Sequence, residues 1–216
     1  MNKTLNDQLL IILSSPSGAG KSTLARLLAE WDPSIKVSIS ATTRPSRDSE
    51  NEGKEYFFLT KEAFQRQIEN GDFLECAEVF GNLYGTPLQF IEDCQQKNLD
   101  VVFDIDWQGS IQIKNSRYRK NVVSIFVLPP SIKELDNRLR RRGADSRAMV
   151  EGRMEKCKDE ISHWKHYKYV LINNKLEDVL EQIKSIVIAE RLKRSRRKGL
   201  KEFVEQLNLE FEGKNS

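Results

Sequence analysis

The chain has 216 residues, which is enough for one or two domains. Lys and Arg (35) almost balance Asp and Glu (32), and the net charge of +3 excludes a polybasic nucleic-acid coat. With 38% hydrophobic and 31% charged residues, the composition is that of a globular protein and not of a disordered one. Three widely spaced cysteines (Cys76, Cys94 and Cys157) predict reduced thiols, not a disulfide framework or a zinc site.

The N-terminal region has neither of the usual signals for a membrane. Its apolar run, residues 9–13, is far shorter than the roughly 20 residues that a membrane span needs. One Lys precedes this run and no small-residue cleavage site follows it, so we expect no secretory signal. Together with the reduced thiols, these features predict a cytoplasmic protein with no membrane partner.

Near-continuous apolar runs at residues 9–13, 101–103, 122–128 and 169–172 predict four strands. Polar and apolar residues do not alternate in these runs, which is typical of strands that are buried on both faces of a parallel sheet. Residues 37–39 are a weaker fifth candidate.

Helical apolar spacing separates these strands. It follows the first strand at residues 24–31 and recurs at residues 176–187. Ser131 and Glu134 form a capping-box signature before a further apolar repeat. Alternating strands and helices predict an α/β protein, with helices on both faces of a parallel sheet.

Two segments depart from that alternation. Residues 40–96 contain strand-like pieces at 56–59 and 73–75 around a short helix from about Lys61, which predicts a small α+β insertion. Residues 138–165 are helical and rich in arginine. A core with two such excursions is typical of an enzyme that closes over its substrates.

The most specific motif lies at residues 15–23, between the first strand and the first helix. Gly18 and Gly20 let backbone N–H groups turn toward phosphate oxygens, and the N-terminus of the helix adds its dipole. Lys21 is expected to reach the β- and γ-phosphates of ATP, and Ser22 to bind Mg²⁺. The predicted ATP-binding residues are Ser15, Pro16, Ser17, Gly18, Ala19, Gly20, Lys21, Ser22 and Thr23.

One position departs from the motif GxxxxGK[ST]. Ser15 stands where the first glycine is usual, and a small residue still fits the turn. The alternative is a glycine-rich turn that binds nothing, but the preceding strand and the following helix favour a phosphate loop.

Asp104 and Asp106 follow the buried strand that begins at Val101. Ligands of open α/β sheets bind beyond the carboxyl ends of the strands, where a carboxylate can hold Mg²⁺ through water. The alternative for either Asp is a helix cap before Trp107.

The insertion begins with Ser40, and Arg44 and Arg47 follow shortly before Tyr56. Arginine forks match phosphate oxygens in pairs, so these residues predict a cage for a second anion. A solvated basic loop is the alternative, and composition alone gives it equal weight.

The chain closely resembles the guanylate kinase family over nearly all of residues 8–198. The resemblance rests on many ordered motifs: the phosphate loop, Ser40-Ala41-Thr42-Thr43-Arg44 with Arg47, Gly53 and Tyr56, Phe73-Leu74-Glu75, Gly81-Asn82-Leu83-Tyr84-Gly85-Thr86, Asp104-Ile105-Asp106-Trp107-Gln108-Gly109, Arg138 with Arg140-Arg141-Arg142-Gly143, and Arg153-Met154.

The resemblance implies a cytoplasmic kinase that converts ATP and GMP to ADP and GDP in purine metabolism, with dGMP as a further acceptor. It also implies a family domain at 8–198 and a tail at 199–216. Within the domain it implies a core (1–38, 97–137 and 166–198), a GMP-binding subdomain (39–96) and a lid (138–165).

The resemblance also implies roles for individual residues. The implied contacts of the GMP phosphate are Ser40, Arg44, Arg47, Tyr56 and Tyr84. The implied readers of guanine are Glu75, Thr86 and Asp106, and Asn173 is implied to lie near the adenine of ATP. Asn174 stands where the family usually has Asp.

Phosphoryl transfer needs charge neutralisation and in-line alignment, and the anionic GMP phosphate needs no strong base. We expect Lys21, Arg138, Arg142 and Arg153 to supply the positive charge, and Arg140 and Arg141 to be exposed to solvent. His163 and His166 are predicted to be surface residues of a helix with no catalytic role.

Three alternatives remain at this point. A non-catalytic scaffold with the same fold would typically have lost Lys21 and Ser22, both of which are present. A phosphate-loop kinase of another acceptor is separated from a GMP kinase by its substrate range. The basic segment 191–201 permits nucleic-acid binding, but its position at the end of a helix favours a structural role, so we expect no nucleic-acid partner. The amphipathic residues after Gly199 are compatible with a homo-oligomer.

Overall fold

A five-stranded parallel sheet forms the centre of the chain in the computed structural model, which describes residues 7–47, 50–79, 81–141 and 147–213. Its strand order is β2-β7-β1-β8-β9. The strands are β1 (Leu10–Ser14), β2 (Ile35–Val37), β7 (Asp100–Asp104), β8 (Val122–Leu128) and β9 (Tyr169–Ile172). All four strands predicted from the apolar runs are present, and the fifth begins two residues earlier than the pattern indicated. Burial on both faces holds for β1, β7 and β8, but it was wrong for β9, an edge strand whose Val170 and Ile172 are exposed.

The side chains of β1 explain why its sequence is apolar throughout. Leu9, Ile11 and Leu13 pack into a core with helices α1 (Lys21–Trp31) and α7 (Leu176–Leu192). Leu10 and Ile12 point to the opposite face, where α3 (Leu88–Gln96) and α4 (Trp107–Asn115) contribute to a second core. Helices therefore cover both faces of the sheet, as predicted.

A second sheet lies within the predicted insertion and has the order β4-β3-β6-β5. Its strands are β3 (Ser40–Thr42), β4 (Tyr56–Phe58), β5 (Phe73–Val79) and β6 (Asn82–Pro87), and α2 (Lys61–Asn70) packs on it through Phe64, whose ring stacks on Phe73. Sequence patterns missed β3, which is a short run of small and hydroxyl residues. They also missed β6, because it contains Gly85 and Pro87.

The arginine-rich segment contains α5 (Ile132–Arg141) and α6 (Arg147–Ser162). The Ser131 hydroxyl accepts a hydrogen bond from the backbone N–H of Glu134 at 3.1 Å, which confirms the predicted cap of α5. Arg140 and Arg141 are exposed, as expected. Cys157 of α6 is buried against Ala19 of the phosphate loop, so α6 contacts that loop directly.

The basic segment that begins in the last turn of α7 pairs with carboxylates of the same chain. Arg191 contacts Asp32 at 2.6 Å and Asp100 at 2.7 Å, and Arg196 contacts the fully buried Glu190 at 3.2 Å. These ion pairs favour the structural interpretation of this segment. The chain ends in α8 (Leu200–Gly213), and none of the helices in the described part of the chain is both long enough and apolar enough to cross a membrane.

Candidate active site

One cleft lies between the phosphate loop and the second sheet. It brings together ten of the residues predicted from sequence, which come from the phosphate loop, the start of α1, the end of β7 and the second sheet: Ser15, Ser17, Lys21, Ser22, Ser40, Tyr56, Glu75, Tyr84, Asp104 and Asp106. Ala77, Val79, Ile105 and Glu160 complete its lining. The carboxyl end of β7 supplies both aspartates, in agreement with the position of ligands in open α/β sheets.

The phosphate loop has the backbone that its glycines predict. Gly18 and Gly20 have φ values of 92° and 101°, in the region that favours glycine. Ser15 is buried and its hydroxyl donates to the carbonyl of Pro16 at 2.8 Å. Among the described residues, Asn98 is the only non-glycine with a positive φ, so position 15 does not require glycine and the departure from the motif is tolerated.

Lys21 opens α1 and its ammonium group lies inside the cleft. It donates to the carbonyl oxygen of Ser15 at 3.3 Å and lies 3.9 Å from Oδ1 of Asp104. Ser22 follows it on the helix and lines the same cleft. A cation, a hydroxyl and a carboxylate therefore surround the space in front of the loop.

Asn173 holds the phosphate loop from behind. Its side chain is 3% exposed and donates to the carbonyl of Ala19 at 2.8 Å. Arg138 donates in turn to the carbonyl of Asn173 at 3.3 Å and to Glu134 at 2.9 Å. Arg138 thus contacts Asn173, which supports the phosphate loop, and does not itself line the cleft.

The other two predicted catalytic arginines have no described side chain. Arg142 lies outside the described residues, and the side chain of Arg153, on α6, is not described.

Glu75 is a buried carboxyl group at the far end of the cleft. The antiparallel register of β5 and β6 pairs it with Thr86, whose hydroxyl donates to Glu75 at 2.7 Å. Burial, which is the largest effect, and the nearby Asp106 charge raise the pKa of Glu75 to about 7 against the opposing effect of the Thr86 hydrogen bond.

The carboxylate of Glu75 has room only because residue 109 is glycine. A methyl group built on Gly109 would collide with Oε2 of Glu75 and would lie 3.0 Å from its Cδ atom. Sequence reasoning placed Gly109 only in a motif, because nothing in the linear pattern shows which side chain α4 approaches.

Asp106 caps α4, which is the alternative that the sequence left open for it. Its carboxylate accepts hydrogen bonds from the backbone N–H groups of Gln108 at 2.9 Å and Gly109 at 3.1 Å. The cap fixes its orientation while it still lines the cleft. Asp104 instead ends a strand and lies near Lys21.

Arg44 is held by a carboxylate that sequence reasoning missed. Its guanidinium group donates to Glu50 at 2.7 and 2.8 Å and lies 5.4 Å from the centre of the Tyr56 ring. The backbone N–H of Arg47 also donates to Glu50, at 2.9 Å, while the Arg47 side chain is exposed. The sequence signal that could have identified Glu50 is a carboxylate close enough to Arg44 along the chain to accept two hydrogen bonds from its guanidinium group.

The rings of Tyr56 and Tyr84 meet edge to face at 6.0 Å beside Arg44. Burial, followed by the Asp104 charge, raises the pKa of Tyr56 to about 12, so its hydroxyl remains a hydrogen-bond donor at neutral pH. The proposed anion cage therefore combines one half-buried arginine with two phenols.

Two further residues of the α6 region were not foreseen. Glu160 accepts a hydrogen bond from the backbone N–H of Ser17 at 3.1 Å, so a carboxylate contacts the phosphate loop. The prediction that His163 is a surface residue was wrong, because its ring stacks on the flat face of Trp107 with centroids 3.7 Å apart. His166 is exposed, as expected.

Comparison with known proteins agrees with this geometry. The family model described as "Guanylate kinase" matches residues 7–190. The chain is 55% identical to the guanylate kinase of Ruegeria pomeroyi over 94% of this chain and 96% of that protein. It is also 55% identical to the guanylate kinase of Cereibacter sphaeroides, over 94% and 97% respectively.

A solved structure leads to the same family. The crystal structure of guanylate kinase from Anaplasma phagocytophilum has a TM-score of 0.78 at 39% identity, and the match covers 93% of this chain and 95% of that one. The chain belongs to the guanylate kinase family.

Proposed function

We propose that the cleft between the phosphate loop and the second sheet is where this enzyme, a nucleoside monophosphate kinase, phosphorylates GMP at the expense of ATP. One observation carries the proposal: Lys21 on the loop and the buried Glu75 on the sheet line the same cleft. The Lys21 ammonium group is suited to bind the phosphates of ATP, and the Glu75 carboxylate is suited to bind the edge of a purine base.

GMP recognition follows from the chemistry of Glu75. An ionised carboxylate only accepts hydrogen bonds, and guanine offers N1–H and N2–H₂ as donors on one edge. Adenine presents the lone pair of N1 there, so AMP would leave a buried charge unpaired. Thr86, which contacts Glu75, can donate to O6 of guanine, and Asp106 adds a further acceptor nearby.

The GMP phosphate is proposed to lie against Arg44 and Tyr56. Glu50 now accepts the hydrogen bonds of Arg44, and a phosphate group would compete with it for the same fork. Ser40 and Tyr84 line the neighbouring part of the cleft, and Arg47 is close along the chain. These five residues form the proposed phosphate site.

For the transfer, an oxygen of the GMP phosphate attacks the γ-phosphorus of ATP. The bond from that phosphorus to the β–γ bridging oxygen breaks, and ADP leaves with that oxygen. Lys21 is proposed to neutralise the charge on the β- and γ-oxygens. No base is needed, because the attacking oxygen is already anionic.

Arg138, Arg142 and Arg153 remain proposed contributors of positive charge to the transfer. Asn173 is proposed to contact the adenine of ATP, although its side-chain N–H donates to Ala19.

The residues in front of the loop suit Mg²⁺. The ion prefers oxygen ligands, keeps several waters and usually takes one or two carboxylates beside substrate phosphates. The Ser22 hydroxyl and the Asp104 carboxylate line one cleft beside Lys21 and would supply such oxygens. Mg²⁺ would spread the negative charge of the ATP phosphates when it is bound.

Three subdomains are proposed, as the resemblance implied: a core around the parallel sheet, a GMP-binding subdomain (39–96) and a lid (138–165). We propose that the last two move toward the core when both nucleotides bind, which would exclude water and suppress ATP hydrolysis. Small-angle scattering with and without a bisubstrate analogue tests this movement. An unchanged radius of gyration would contradict it.

A coupled assay of ADP release with GMP, dGMP, AMP, dTMP and CMP tests the proposed site. We expect strong activity with GMP and dGMP, because the guanine edge is the same in both. Equal activity with AMP would overturn the role of Glu75. Absence of ADP release with any acceptor would instead favour a non-catalytic scaffold.

The setting of the enzyme is also a proposal. Free cysteines at positions 76, 94 and 157 and the use of ATP and GMP support a cytoplasmic enzyme of purine nucleotide metabolism. The ion pairs of the basic segment support the absence of a nucleic-acid partner. We further propose that the chain forms a homo-oligomer.

A further inference from the structure

Strand β5, which carries Glu75, lies at one edge of the second sheet. One side of this strand pairs with β6 in antiparallel register. The opposite side of an edge strand has a row of backbone N–H and C=O groups that no further strand satisfies. These groups of β5 therefore depend on side chains or on water for their hydrogen bonds.

A side chain of α4 pairs with this free edge. The amide nitrogen of Gln112 donates to the carbonyl oxygen of Cys76 at 2.6 Å, and the backbone N–H of Cys76 donates to Oε1 of Gln112 at 3.0 Å. Opposed residues of two antiparallel strands exchange hydrogen bonds in the same way. The Gln112 amide thus takes the place of one residue of a further strand, and it joins a helix of the parallel sheet to the second sheet.

This pair of hydrogen bonds lies next to the buried carboxyl group of the cleft. Cys76 directly follows Glu75 along β5. Gln112 lies three residues after Gly109, where the absence of a side chain leaves room for the Glu75 carboxylate, and Gly109 lies three residues after the helix cap Asp106. Residues three apart are neighbours on a helix surface. One side of α4 therefore carries the Asp106 carboxylate, the space for Glu75 and the amide that holds β5.

We propose that Gln112 is a positioning residue for base selection, because it fixes Glu75 on β5 relative to Asp106 at the start of α4. The inference rests on the proposed function, in which both carboxylates accept hydrogen bonds from guanine. Gln112 does not itself line the cleft, so it acts through the backbone of Cys76. Such a role is effective because a misplacement of about 1 Å in an aligned site can lower a rate by about 10²-fold.

Kinetics of Gln112→Met test the proposal, because methionine keeps the length of the side chain and removes both hydrogen bonds. We expect KM for GMP to rise about tenfold, and the ratio of kcat/KM for GMP to that for AMP to fall about tenfold. Both kcat with GMP and KM for ATP should stay within about twofold of the native values, since the phosphate loop is untouched.

The matched control is Asn115→Ala, which removes an exposed amide from the same helix and should behave like the native chain. Thermal unfolding of each variant separates positioning from a merely structural role. An amide that only covered the strand edge would affect stability alone. An unchanged preference for GMP in Gln112→Met, with or without a loss of thermal stability, would therefore overturn the proposal.

A double-mutant cycle with Glu75→Gln tests whether Gln112 acts through Glu75. If it does, Gln112→Met should not lower the preference for GMP further in the Glu75→Gln background. A further fall of about tenfold in that background would overturn the positioning role. An unchanged preference in Glu75→Gln alone would overturn the proposed base reader and this inference with it. A preference lost in Glu75→Gln and kept in Gln112→Met would overturn the positioning role only.

Discussion

The two sides of the cleft are built in different ways. The proposed ATP side is a single segment, residues 15–23, whose backbone turns around Gly18 and Gly20. The proposed GMP side is assembled from separate segments, and its central pair, Glu75 and Thr86, meets only through strand register. A loop formed by one segment is compatible with many acceptor nucleotides. A pocket whose side chains are placed by strand register can instead select one base.

On both sides of the cleft, N–H donors and cationic groups contact carboxylates from other parts of the chain. On the ATP side Glu160 accepts from the loop backbone and Asp104 lies near Lys21. On the GMP side Glu50 holds Arg44. In the proposed site, substrate phosphates would compete with these carboxylates. The two sides therefore share an electrostatic arrangement although their geometry differs. Variants on each side should separate catalysis from substrate choice.

The largest effect is expected on the ATP side, from Lys21→Met. Loss of the ammonium group removes positive charge from the transferring phosphoryl group, so kcat should fall by about 10³-fold or more. The fall should be the same with GMP and dGMP, because the acceptor pocket is intact. Initial-rate kinetics measure this, with Lys36→Met, on an exposed strand position, as the control. A variant with near-normal kcat would show that the loop does not carry the reaction.

On the GMP side, Glu75→Gln should change substrate choice. Two charge-assisted hydrogen bonds to guanine weaken, so kcat/KM for GMP should fall by about 10²- to 10³-fold while weak activity with AMP persists. The matched control is Glu78→Gln, an exposed position on the same strand. Unchanged preference for GMP over AMP would assign base selection to other residues.

Gly109→Ala should disturb the same pocket without removing any polar group. The added methyl must displace the Glu75 carboxylate, and overpacking of this kind costs about 1–3 kcal/mol. We expect KM for GMP to rise about ten- to a hundredfold with little change in kcat. Gly152→Ala is the control, because a methyl built there meets nothing within 4 Å. A parallel loss of kcat and thermal stability would indicate general damage instead.

The pH dependence of GMP binding should isolate the charge of Glu75. Its pKa of about 7 lies above the ordinary 4.5, so the carboxyl group becomes protonated as pH falls through 7 and loses an acceptor. The affinity for GMP should rise about tenfold between pH 6 and pH 8, in proportion to the ionised fraction. Calorimetry on the native chain and on Glu75→Gln tests this, since both share the titration of the GMP phosphate. If the affinities of both proteins for GMP changed with pH in the same way, the Glu75 carboxyl group would be ruled out as the source of the pH dependence.

The raised pKa also affects folding. The folded state holds the Glu75 proton more tightly than the unfolded state, so this group's contribution to stability is present below pH 4.5 and is lost as pH rises toward 7.

The smallest effect is expected from Glu160→Gln. The substitution removes a negative charge beside the phosphate loop, so KM for ATP should fall a few-fold while KM for GMP stays the same. Glu155→Gln, exposed on the same helix, controls for the change in net charge. A rise in KM for ATP would show that the carboxylate helps ATP to bind.

The difference between the two sides also explains what the sequence could predict. The phosphate loop and the four apolar strands are local patterns, and each lies where the linear sequence predicts it. The exposure of β9 was missed, because its place at the edge of the sheet is set by the topology. Glu50, Gly109 and Glu160 were missed as contacts of Arg44, Glu75 and Ser17, because six or more residues separate the members of each pair along the chain and the fold brings them together. The interior of β6 was missed because its glycine and proline conceal a strand.

The hydrogen bond from Asn173 to Ala19 has a consequence for the order of events during synthesis. It joins residues 154 positions apart, and the second partner directly follows the last strand of the parallel sheet. The loop leaves the ribosome early, but its support arrives only when residue 173 of 216 has emerged. A nascent chain therefore acquires the support of the proposed phosphate-binding loop late, after every residue of the proposed acceptor pocket has been synthesised.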